Sequence, residues 1–368
     1  YAEQDRQSML DVLDAIDLLR ERDTRDELGI GTIRDGLAEL LFPGVNTIQS
    51  RARYFMFIPW LYLELERQRV PSNQIARRAR DAEVALIEPL KRTGEDGVFG
   101  RDAGSRLQRL PSSVYWNGLR RWDIRLFPGA QGEYHRSLDQ YYRDLQRRAE
   151  RDEGDIAPRN WHASVPAPPA GFPGTATFDL TQIEAEYLCE RVMTAARSSL
   201  LAFLLDHLNG PVKLDFVWQH PQLVDMPIKL QQEITHARDF SECMHGAALL
   251  YNLMLAEAQK NVELIDRYRS RINMWSAALD TQRPRLLTAG RTPFWITIRA
   301  ANPHVPSKAQ WFVDAWLDAV SSKGAAAEVI DDKGLRTMIA ERERWLKGPQ
   351  ARLQNARALE LWSGAAGV

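Results

Sequence analysis

Cysteine is nearly missing from this chain, with only Cys189 and Cys243 in 368 residues. So sparse a supply excludes a disulfide-stapled scaffold and a cysteine-built structural zinc site, and it suits a reducing compartment. Long apolar runs are missing too. The longest, Ala247 to Ala256, is interrupted by Tyr251 and Asn252 and falls well short of the roughly 20 residues of a membrane span. No signal peptide is visible, so the residues predict a cytoplasmic protein with no membrane segment. Residue 1 is Tyr rather than Met, which reads as a trimmed chain and leaves a leader open. The phosphate loop G-x-x-x-x-G-K-[ST], a G-x-G-x-x-G after a strand, the G-x-S-x-G elbow and H-E-x-x-H are all absent. Neither charge sign dominates: 48 basic residues face 49 acidic ones. That balance excludes a protein that coats nucleic acid through bulk charge.

What is present is globular composition, 44% hydrophobic and 26% charged, in a chain long enough for two or three cores. Its charge is unevenly spread. Residues 1–46 carry 5 Arg against 11 Asp or Glu, whereas residues 47–125 carry 15 Arg or Lys against 9 acids. Arginine outnumbers lysine 40 to 8; its planar fork suits phosphate or carboxylate, although GC-rich coding would give the same excess.

Helical periodicity runs through both halves. Met9, Leu10, Leu13, Ile16 and Leu19 predict an amphipathic opening helix between Asp5 and Arg22. Thr32 with Asp35 resembles a capping box opening a helix through Phe42; Pro43 and Gly44 force a turn, and Asn46 and Thr47 can cap a third helix through Trp60, bent at Pro59. Further helices are predicted over 72–90, from Ser112 to Trp122, and over 134–151. Residues 153–177 collect Pro158, Pro166, Pro168, Pro169 and Pro173, which predicts a linker between an N-terminal domain, 1–152, and a helical bundle, 178–368. In the bundle, Thr181 with Glu184 caps a helix ending near Asn209, and further helical patterns cover 227–258, 263–279, a stretch from Ser307 and the tail 351–362. Only Val212–Trp218 and Phe294–Arg299 read as strands. The fold class is mainly α, with winged-helix-like or helix-turn-helix elements in the N-terminal region.

Two segments could meet nucleic acid. In Thr32–Tyr62 the second of two helices joined by a short turn would present Thr47, Gln49, Arg51 and Arg53 to phosphates or base edges. In Arg106–Phe127, the arginines Arg120, Arg121 and Arg125 interleave with Tyr115, Trp116 and Trp122, a basic and aromatic mixture suited to nucleic acid. Both also fit plain packing: a helical hairpin with a polar face, and a core helix whose stripe Tyr115, Leu119 and Trp122 faces inward with Arg on the wet side.

Catalytic chemistry finds less support. Glu233 with His236, and Glu242 with His245, have the spacing by which one helical face reaches a metal. The two pairs lie nine residues apart, however, which is half a turn out of phase on one helix. Asp331 and Lys333, downstream of Asp314 and Asp318, match the acid-x-Lys element of Mg²⁺ nucleases at two residues only. The sequence therefore names no catalytic residue, cofactor or metal.

The block ELGIGTIRDGLAELLFPGVNTIQSRARYFMFIPWLY (Glu27–Tyr62) resembles the opening of an uncharacterised bacterial family defined only as a domain of unknown function. PSSVYWNGLRRWDIR (Pro111–Arg125), HARDFSECMHGAALLYNLMLAE (His236–Glu257) and KGPQARLQNARALELW (Lys347–Trp362) agree with it. The resemblance carries no catalytic residues. It implies a place in restriction or antiphage clusters beside helicases or phospholipase-D-like nucleases, and a C-terminal tail beyond this chain. The expectation that follows is a non-enzymatic DNA-binding subunit of a defence assembly contacting DNA through Thr47, Gln49, Arg51, Arg53, Arg120, Arg121 and Arg125. The alternatives are a protein–protein scaffold, suggested by neutral charge and 11 tryptophans, and a metal-dependent hydrolase.

Overall fold

The computed structural model describes residues 28–151, 159–207, 214–323 and 326–364. The opening helix expected over 5–22 lies outside them. Every regular element among the described residues is helical, apart from one isolated bridge between Arg125 and Trp161. The first helix is α1 (Gly31–Leu41). The contacts then group into two compact units: unit 1 holds Phe42–Lys213, and unit 2 holds α1 together with Leu214–Val368.

Unit 1 contains α2 (Tyr54–Arg67), α3 (Ile75–Ala85), α4 (Ile87–Arg92), α5 (Pro111–Arg121), α6 (Gln131–Arg151), α7 (Gln182–Ala195) and α8 (Leu200–His207). Its core is α2, in which every residue from Tyr54 to Tyr62 is buried. A helix apolar on all sides must be wrapped on all sides. Phe55 stacks on Trp122 at 4.0 Å, and Tyr54 meets Phe99, Tyr115 and Phe178. The stripe Tyr115, Leu119 and Trp122 faces inward, as helical packing requires. The proline-rich stretch belongs to this unit over its described part: Trp161 and Phe178 are buried, Phe172 packs on Trp60, and Trp60 Nε1 donates to Pro166 O at 2.6 Å. The described prolines of this stretch lie outside helices and pack against α2 through Trp60.

Local signals explain the remaining breaks. The capping box of Thr181 and Glu184 forms at the start of α7. The helix expected over 72–90 divides at Leu86 into α3 and α4, and the one expected to end near Asn209 divides after Ala195 into α7 and α8.

A buried carboxyl sits beside α5. Glu83 is buried, and its two oxygens accept from Ser112 N at 2.8 Å and Ser112 Oγ at 2.7 Å. Burial pushes its pKa up to about 7 against these hydrogen bonds, which pull it down. Between about 4.5 and about 7 the folded chain keeps a proton that the unfolded chain has released, so stability falls as pH rises through that window. Glu83→Gln is expected to flatten this slope. Urea midpoints at pH 5 and pH 8 check it, and an unchanged slope would contradict the assignment.

Unit 2 is built on α9 (Ile228–Ala258), a 31-residue helix, with α10 (Val262–Thr281) folded back along it. Asn261 caps α10 by accepting from Leu264 N at 3.1 Å. Then follow α11 (Arg285–Thr288), α12 (Thr292–Ala301), α13 (Ser307–Ser321), α14 (Ala326–Ile330), α15 (Lys333–Lys347) and α16 (Ala356–Glu360). Phe294–Arg299, expected as a strand, lies inside α12: Pro293 occupies its first turn, where a missing N–H costs nothing, and Phe294, Trp295 and Ile298 share its buried face at helical spacing. Of the other expected strand, residues 214–218 are described; they reach into a short 3₁₀ turn at Val217–Gln219. Close approach between α9 and α10 depends on Gly246, which lies against the Trp275 ring. Trp316 Nε1 donates to Cys243 O at 3.0 Å, tying α13 to α9.

Candidate functional site

The seven residues expected to contact DNA separate into inside and outside. Arg53 is 5% exposed; it pairs with Glu184 at 2.8 Å and donates to Thr177 O and Oγ1. Arg125 is 3% exposed, lies over the Trp116 ring at 4.4 Å, and donates to the carbonyls of Trp116, Phe127 and Gly129. Burial pulls its pKa down to about 10, with Arg120 adding repulsion. Gln49 is 6% exposed and donates to Gly44 O at 3.0 Å. These three are therefore internal ties. A guanidinium buried against protein carbonyls and a carboxylate is out of reach of a phosphate.

The predicted recognition helix is helical only from Tyr54, without the first turns that would present Thr47, Gln49, Arg51 and Arg53. Residues 47–53 form turns, α2 begins only at Tyr54, and α1 and α2 belong to different units. Asn46 turns the chain by accepting from Ile48 N at 3.0 Å, and Tyr115 OH bonds the backbone of Ser50 and Arg51, so this segment is held as a loop on α5. Thr47 and Arg121 are exposed, Arg51 pairs with Glu95 at 3.6 Å, and Arg120 with Asp123 at 2.5 Å. The structure does bring the two candidate segments together: Trp122 Nε1 donates to Pro43 O at 2.7 Å, and Gly44 rests against Gly118 and Arg121.

Of the acidic candidates, Glu233, Asp314 and Asp318 are engaged in ion pairs, and the neighbour of Asp331, Asp332, has a structural task. Glu233 pairs with Lys229 at 3.8 Å, while His236 meets the edge of Phe294. Asp332 caps α15 and pairs with Lys323; Asp314 accepts from Trp295 Nε1 and, with Asp318, pairs with Arg291. Among the described residues no group of three or more His, Cys, Asp or Glu is arranged to hold a metal ion. Burial pushes the Cys243 thiol well up, away from the reactive thiolate.

A different feature of unit 2 has the form of a binding site. A groove of about 680 Å³ runs between α13 and α15. Along α15 it is lined by Gly334, Thr337, Met338, Glu341, Arg342 and Trp345, the spacing of one helical face; α13 contributes Lys308 and Trp311, one turn apart. Trp311 is 67% and Trp345 52% exposed, whereas most tryptophans of the molecule are buried. Trp345 is held from below: Lys308 Nζ lies 4.2 Å and the Arg342 guanidinium 5.1 Å from its ring centre. Arg342 in turn donates to Leu28 O at 2.8 Å, Gly29 O at 3.0 Å and Lys308 O at 3.2 Å. It locks the start of α13 and the segment before α1 onto α15, so the indole stands on a fixed support.

Over residues 2–368 the chain matches a family of unknown function, DUF6361. The chain belongs to that family. No curated protein and no solved structure matches it. DUF6361 membership covers nearly the whole chain and assigns no activity, so function in this member has to be argued from its surface. No helix among its described residues is long and apolar enough to cross a membrane.

The groove carries a sequence signal that was legible in part. Trp311, Phe312, Ala315 and Trp316 read as one side of a helix, yet the five residues from Trp311 to Trp316 turn it by about 140°, and Trp316 is buried while Trp311 is exposed. Trp345 sits in the charged run ERERWLK, where an apolar residue has no amphipathic partner. What periodicity could not show is that α13 and α15 place these two exposed rings on one groove.

Proposed function

We propose that this protein is a non-catalytic helical adaptor that holds a partner protein in the α13–α15 groove of unit 2. The observation that carries the proposal is the pair of exposed indoles, Trp311 and Trp345, on one largely apolar groove. Exposed aromatics on a pre-held support are the usual anchors of protein interfaces, because little side-chain freedom is lost when they bind. Helicases and nucleases, the neighbours that the family resemblance implies, are the first partners to look for. Tagged wild-type protein purified from its own cells is expected to bring a stoichiometric partner that Trp345→Ala or Trp311→Ala loses, with the melting temperature unchanged. Retention of the same partner by both variants would refute the groove's role.

A second reading, DNA binding by unit 1, is favoured by one observation: the loop bearing Thr47 and the end of α5 bearing Arg120 and Arg121 lie together. That surface predicts binding of a duplex that weakens steeply with salt and is lost in Arg120→Ala/Arg121→Ala. Salt-insensitive or absent binding by wild type leaves the adaptor.

A further inference from the structure

Given that the groove holds a protein, its charge pattern narrows which kind. We infer that its occupant is an amphipathic helix with acidic residues towards both ends. The groove lies between two helices, its wall more apolar than polar, with Trp311, Met338 and Trp345 among its lining residues. Such a channel accepts the apolar face of a third helix, whose anchors recur at i, i+3, i+4 and i+7. Methionine beside tryptophan adapts to differently shaped anchors.

The charges then set the occupant's polar margin. Lys333 opens α15, and Lys308 Nζ lies 4.2 Å from the ring centre of Trp345, whose position is about 18 Å along the helix axis from that of Lys333, so the two lysines belong to opposite ends of the groove. Among the described residues no salt bridge engages either lysine. Glu341 lies between them on the same face. The complementary ligand therefore carries acids at its two ends, apolar anchors between, and one donor or basic residue near its middle.

Nucleic acid fits the same groove less well. Residues 28–41 and 214–368 carry 20 basic against 19 acidic side chains, so unit 2 lacks the positive field that drives phosphate binding. Arg342, the one guanidinium in the groove, is buried and bonded to three carbonyls.

The test is fluorescence anisotropy with the full chain and three probes. Two are labelled peptides of about 15 residues with Leu and Phe at i, i+3, i+4 and i+7, one with Glu at both ends and the other with Lys, and the third is an oligo(dT) of similar length. The Glu peptide is expected to bind with Kd below about 100 μM, at least about tenfold tighter than the Lys peptide. Trp345→Ala and Trp311→Ala should each weaken it by about tenfold or more. Lys308→Glu/Lys333→Glu should reverse the preference between the peptides, and Lys333→Glu alone, which leaves the Lys308 contact to Trp345 in place, should reduce it. Equal binding of both peptides, no binding of either, or oligo(dT) binding that Trp345→Ala abolishes would overturn the inference. The adaptor proposal is judged separately. A natural partner lost with Trp345 but indifferent to the lysine reversal would sink the acidic-helix inference and leave the adaptor standing, and a partner indifferent to both tryptophans would sink the adaptor.

Discussion

Arg53→Met is expected to destabilise unit 1 by about 3–5 kcal/mol, the cost of leaving a buried carboxylate without its counter-charge. Arg53 and Glu184 meet at 2.8 Å, both buried, and join α2 to α7 across 131 positions of sequence. The Glu184 carboxylate does two jobs at once: Oε1 accepts from Arg53, and Oε2 accepts from Thr181 N in the capping box. Losing the guanidinium strands Oε1 in the interior and also removes the donors that hold Thr177. Arg53→Met/Glu184→Gln should recover more than half of the loss, because glutamine keeps the capping bond and no charge stays buried. Amide exchange in α2 and α7 reads the effect locally, which matters in a chain of two units where a single unfolding midpoint mixes transitions. A loss below about 1 kcal/mol would be the surface value and would mean the pair is wet. The same measurement separates the structural and DNA-contacting roles of Arg53, because a contact residue on the surface would leave amide exchange untouched.

Gly246→Ala is expected to cost unit 2 about 2–3 kcal/mol, although alanine is the better helix former by about 1 kcal/mol. A Cβ at position 246 would lie 2.1 Å from Cζ2 of Trp275 and 2.4 Å from Cη2. The indole has little freedom to withdraw. Its Nε1 donates to Glu242 O at 2.7 Å, one turn earlier on α9, and its far side packs towards Trp316. The helices α9 and α10 must therefore separate or the ring must leave its hydrogen bond. Gly246→Ala/Trp275→Leu should cost less than the sum of the two single changes, the sign of a shared contact. Thermal unfolding of the four proteins tests it; strict additivity would show that the ring and the glycine do not meet.

These two sites show which parts of the architecture the sequence could disclose. Periodicity places α10 and α13 because each buries one face at regular spacing, α9 is marked by the long apolar run that buries most sides of its second half, and Thr181 with Glu184 marks the start of α7 because a capping box is a local bond. Arg53 was misplaced for the opposite reason. In TIQSRARYFMF its charge looks like a wet-side residue, and its partner lies on α7, beyond the reach of any local pattern. Arg125 likewise reads as a surface contact, because its burial depends on the carbonyl of Trp116 on α5 and those of Phe127 and Gly129 in the loop that follows. Ile296 and Ile298 alternate with polar residues and imitate a strand, yet Phe294, Trp295 and Ile298 pack as one helical face. The groove was only half visible: two tryptophans without an apolar stripe are readable in sequence, but their meeting depends on Arg342 clamping three segments together.

Site-specific photo-crosslinking in cells distinguishes the proposed α13–α15 groove interface of this DUF6361 protein from the rest of its surface. A photoreactive aromatic side chain, which keeps a ring at an anchor position, is placed in turn at Trp311, at Met274 on an exposed face of α10, and at Arg121 on unit 1. The account predicts a discrete protein adduct at position 311 that disappears with Trp345→Ala, and none at position 274. A nucleic-acid adduct at position 121 with no protein adduct at position 311 would contradict it.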